Sequence, residues 1–97
     1  MHERVKESKQ MVERAMFEAL GLYTAKEPKH GDEWRDKTIW QAFMHLKHEI
    51  EEIERSDGLD RQIHNALDAC AQAAILSARM KLELDNKNGD YLLHNRG

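Results

Sequence analysis

The stretch TIWQAFMHLKHEIEEIERSDGLDRQIHNALDACAQAAILSA, residues 38–78, decides the fold. In its first half Ile39, Phe43, Leu46, Ile50 and Ile53 step by +4, +3, +4 and +3, the spacing that aligns side chains on one helix face. Thr38 and Gln41 fit a capping box that opens this helix. Ser56-Asp57-Gly58 breaks it, with Asp57 suited to cap the next helix. So short a link predicts that the helices before and after it are antiparallel neighbours. From Ala66 to Ala78 the second of them is apolar almost all round, and its many alanines keep it slender. A helix apolar on every side is buried on every side. Two partner helices from one short chain cannot surround it, so a second subunit is expected to complete the bundle.

Outward from this pair the pattern stays helical. Val5, Val12, Ala15, Ala19 and Leu22 keep one face of a first helix, and Gly21 reads as its stop. Tyr23 to Asp36 reads as a polar connector holding the only proline, Pro28, with Trp34 either plugging the bundle end or offering a stacking surface to a flat ligand. After Leu84, Asn86-Lys87-Asn88-Gly89-Asp90 reads as a helix stop. The expectation is one all-α domain, 1–97, a helical bundle with core helices at about 2–21, 38–55 and 58–84 and a polar tail over 85–97. Period-two runs of β-branched and aromatic residues are absent, which argues against a sheet. A formal charge of −3 with 34% charged residues gives no basic footprint for nucleic acid. The chain shows no membrane-spanning stretch and no signal peptide, and its single Cys70 has no disulfide partner in the chain, so a cytoplasmic location is expected.

Two polar clusters interrupt the apolar pattern. Glu49 and Glu52, beside His48, lie at i,i+3 on the shoulder of the first stripe, and Asn65 and Asp68 lie at i,i+3 on the apolar helix. Gln72 extends the second line, with Arg79 beyond it. Counted back from the short turn, the clusters fall at comparable heights. Three carboxylates at one level repel one another unless a cation joins them. All-oxygen donors suit Mg²⁺, with Mn²⁺ as a substitute. The alternative is that the carboxylates pair with Lys and Arg from other elements. His45 and His48 lack the spacing of a zinc or di-iron motif.

Leu46-Lys47-His48-Glu49-Ile50-Glu51-Glu52-Ile53 resembles the L-x-E-E-x-x-E-L signature of MazG-like all-α nucleoside triphosphate pyrophosphohydrolases. Asn65-Ala66-Leu67-Asp68-Ala69 resembles the E-L-x-D-V signature of their next helix, and Gly31-Asp32-Glu33-Trp34 resembles a Gly-Asp-x-Trp segment ahead of it. The similarity covers about residues 30–80, with His48 and Asn65 standing where that family has Glu. The resemblance implies a homodimer or homotetramer that hydrolyses a nucleoside or deoxynucleoside triphosphate to the monophosphate and pyrophosphate with Mg²⁺. It assigns Glu49, Glu52 and Asp68 to the metal. Asn65 can join them through its carbonyl oxygen, and Glu49 or Glu52 would serve as base toward a water. Trp34, His48, Gln72, Arg79, Lys81 and Lys87 are the candidates for substrate contact. Two alternatives stand beside this reading: a non-catalytic nucleotide- or metal-binding oligomer of the same fold, and a purely structural helical interaction module.

Overall fold

The computed structural model describes the backbone of residues 2–96 and the side chains of residues 2–88. It is an all-α bundle of three helices, α1 (His2–His30), α2 (Ile39–Arg55) and α3 (Leu59–Arg96), with a short 3-10 turn at Glu33–Asp36 between the first two. Among the described residues no helix is long and apolar enough to cross a membrane.

α1 does not stop at Gly21 but runs nine residues further, to His30. A single interior glycine costs a helix only about 1 kcal/mol relative to alanine, too little to end it. Pro28 sits in the last turn, where its missing N–H forfeits one bond without breaking the helix. The true stop is Gly31, at φ 47°, whose N–H donates to the Glu27 carbonyl at 2.8 Å. That left-handed position favours glycine. So the stretch read as a connector is mostly helix, and the loop shrinks to Gly31–Thr38 around the 3-10 turn.

α2 begins as its sequence requires. Gln41 N donates to Thr38 Oγ1 at 3.0 Å, and Thr38 N donates back to Gln41 Oε1 at 2.9 Å. Its end is closed by Ser56, whose N–H donates to the Ile53 carbonyl and whose hydroxyl donates to the Glu52 carbonyl at 2.6 Å. Gly58, at φ 88°, takes the place expected of Asp57 at the start of α3: its carbonyl accepts from Gln62 N at 3.1 Å. α3 continues through Asn86–Asp90 rather than ending near Leu84. That polar stretch contains no proline, and Asn and Gly reduce helix stability without forbidding it. The side chains of Tyr91, Leu92 and Leu93 lie outside the described residues.

α2 and α1 both pack on α3, and the 3-10 turn rests on α3 as well. The contact surfaces are made of small residues, one from each helix: Ala19, Ala42 and Ala69 are the buried apolar residues of the described chain, at 3%, 5% and 9% exposure. The large apolar side chains lie elsewhere. Phe17 is 76% exposed, and Val12, Met16 and Leu20 share its helix in the open. Trp40, Phe43 and Met44 are also exposed, because no element among the described residues covers that side of α2. Trp40 and Phe43 stack on each other with ring centroids 5.9 Å apart. An apolar groove of about 310 Å³ runs between α1 and α3, lined by Met16, Leu20, Ala74, Ala78 and the exposed thiol of Cys70.

Candidate functional site

The residues that end α1, form the 3-10 turn and begin α2 face the middle of α3 across a cleft of about 620 Å³. Its size is that of a small-molecule site. Trp34, half-buried, forms part of its wall. The extension of α1 explains how that ring is held: Trp34 Nε1 donates to the Tyr23 hydroxyl at 3.1 Å, tying the turn to α1. With its one polar atom engaged on the protein, the indole keeps its ring for apolar contact or stacking. Lys26, Lys29 and Lys37 also line the cleft, and so do Asp68, Gln72 and His45.

Asp68 is one of three carboxylates that line the cleft, with Glu27 and Glu33. Its side chain is 15% exposed, and its two oxygens face Lys26 Nζ at 3.6 Å and His64 Nε2 at 3.5 Å. A carboxylate withdrawn from water needs such partners. His45 titrates below its ordinary value of 6.5, chiefly because burial disfavours its charged form and next because Lys37 opposes a second positive charge; Glu49 pulls in the opposite direction.

The sequence-predicted residues are distributed unequally around this cleft. Trp34, Asp68 and Gln72 line it. Glu49 stands one residue back, 3.6 Å from Nε2 of the cleft's His45. Glu52 is held in the same way by His48 at 3.6 Å, and neither of these two lines the cleft. The amide nitrogen of Asn65 donates to the Ser56 hydroxyl, which caps α2. Arg79 is turned inward to the backbone: its Nε donates to the Lys37 carbonyl at 2.6 Å, and its guanidinium pairs with Glu83 at 3.0 Å. Lys81 and Lys87 are exposed on α3 away from the cleft.

Among the described residues no three His, Cys, Asp or Glu side chains come together to hold one ion. The reason is local. Each carboxylate of the expected set has a histidine four residues before it on its own helix, and Asp68 has a lysine in addition. As placed, these donors do not fit a ready-made Mg²⁺ centre. Asp68 lines instead a cleft with an aromatic wall and three lysines set against three carboxylates.

No family model, curated protein or solved structure matches the chain. The site is therefore read from its own chemistry. Sequence reasoning missed Lys26, Lys29 and Lys37. The signal was present, since Tyr23, Lys26 and His30 step by +3 and +4 and so share a helix face, but it is visible only once residues 22–30 are taken as helix.

Proposed function

We propose that this chain is the protomer of a nucleotide-binding helical oligomer, the nucleotide lying in the Trp34 cleft. The observation that supports it is the joining, in one cavity of suitable size, of an indole ring with Lys26, Lys29 and Lys37. A base stacks on the first, and the ammonium groups attract the phosphates. In this reading α2 and α3 are antiparallel, and a second copy of the chain covers the apolar faces left open on α1 and α2. Calorimetry with ATP, dATP and the other triphosphates in the presence of a chelator tests it. Binding that quenches Trp34 fluorescence is the expected result. If no nucleotide binds, the chain is better described as a structural interaction module.

Mg²⁺-dependent hydrolysis to monophosphate and pyrophosphate is the second reading. It is favoured by the resemblance over residues 30–80 and by one feature of the structure: Asp68 and the histidine that holds Glu49 line the same cleft. It requires Glu49 and Asp68 to exchange their present partners. A pyrophosphate-release assay over a panel of NTPs and dNTPs with Mg²⁺ separates the two readings, because release above the protein-free rate would make the protein an enzyme.

A further inference from the structure

We propose that Lys26 is the resident counter-cation of Asp68, filling the place a divalent ion would need and keeping the cleft free of metal. Lys26 reaches across from α1 to α3, and its Nζ lies 3.6 Å from Oδ1 of Asp68. The second carboxylate oxygen, Oδ2, faces His64 at 3.5 Å. Both donor atoms that a hard cation would take are thus engaged, one of them by a full positive charge. A divalent ion binds oxygen donors and keeps several waters, so it needs that carboxylate free and its surroundings open. An ammonium group at this separation does the opposite, by occupying the space and repelling a second cation.

The rest of the cleft is balanced in charge. Lys29 and Lys37 line it with Lys26, and among the residues that line it the acidic ones are Asp68, Glu27 and Glu33. Glu33 is itself 3.5 Å from His30 Nδ1. The pairing does not rest on the proposed function, so the test is run without nucleotide.

Mn²⁺ is the probe, its binding read by electron paramagnetic resonance on the full chain, with far-UV circular dichroism as the check on folding. Lys26→Gln should bind Mn²⁺ at least about tenfold more tightly than the wild type, the scale set by one unit charge removed from beside a partly solvated cation site. Lys26→Met, which keeps most of the aliphatic stem, should show the same gain. Lys26→Arg keeps the charge and should behave as the wild type. Adding Asp68→Asn to Lys26→Gln should abolish the gain. Equal Mn²⁺ affinity in the wild type and both neutral variants, or no binding in any of them, overturns the proposal. Nucleotide binding by the wild type in chelator is measured apart, and its absence would count against the proposed function while leaving the Mn²⁺ result intact.

Discussion

Asp68, Glu49 and Glu52 share one local device, a histidine four residues earlier on the same helix at 3.5–3.6 Å. For His45, burial and then the charge of Lys37 outweigh the pull of its carboxylate partner. Its folded-state pKa lies below the unfolded value of 6.5, so the unfolded chain binds more protons once the pH drops under that value. The stability His45 contributes is therefore complete above 6.5 and is lost as the pH falls through the folded value. Urea midpoints measured between about pH 7.5 and about pH 5.5 should decline, and His45→Gln should make the decline shallower. At Trp34 the expected effect is on binding. Trp34→Ala should weaken nucleotide affinity by about ten- to hundredfold, the equivalent of about 1–3 kcal/mol of stacking, and titration calorimetry reads it directly. Unchanged affinity would leave the ring as a plug tied to Tyr23. Asp68 and Gln72 were legible as neighbours along one line of α3 because helical spacing is enough to place them. Arg79 was not, since the carbonyl of Lys37 and the carboxylate of Glu83 that occupy its guanidinium come from packing, which spacing does not encode.

Among the elements, starts proved more legible than stops. A helix start such as Thr38-x-x-Gln41 is written in side chains that bond the backbone reciprocally, so it can be read directly. A stop is a balance between a weak breaker and the residues beyond it, and Leu22, Tyr23 and Ala25 carry α1 past Gly21. The two glycines therefore predict opposite outcomes. Gly21 is helical and a Cβ there meets nothing within 4 Å, so Gly21→Ala should raise stability by about 0.5–1 kcal/mol. Gly31 is left-handed, so Gly31→Ala should lower it by about 1–2 kcal/mol even though the new methyl would sit at an ordinary 3.6 Å from the Glu27 carbonyl. Denaturant titration of both variants checks the pair.

For the whole molecule, a radius of gyration of 17.2 Å stands against about 12.5 Å for a compact chain of this length. The accessible area of 8252 Å² exceeds by about two-fifths that of a compact monomer of the same mass. A surplus of about 2,500 Å² per chain is what two chains would remove in a large obligate interface. The melting temperature should therefore rise with protein concentration, and light scattering should give a dimer or larger. Ala74→Lys, in the apolar groove, should dissociate or unfold it, since the ammonium group would be buried without a partner. A stable monomer at micromolar concentration would contradict this. The all-α class and the three helices were legible in the sequence. That no large side chain is buried among the described residues was not, because periodicity shows which face is apolar and says nothing of whether the same chain covers it.

The position of Cys70 turns the molecule into its own reporter. Its thiol opens into the groove between α1 and α3, beside Met16, Leu20 and Ala74. Attack by a thiol on a water-soluble aromatic disulfide requires that the reagent reach the sulfur. If another chain lies along that groove, the colour released per second should fall as the protein is concentrated and recover on dilution. A single native thiol would then time the opening and closing of the assembly, without any label or substitution.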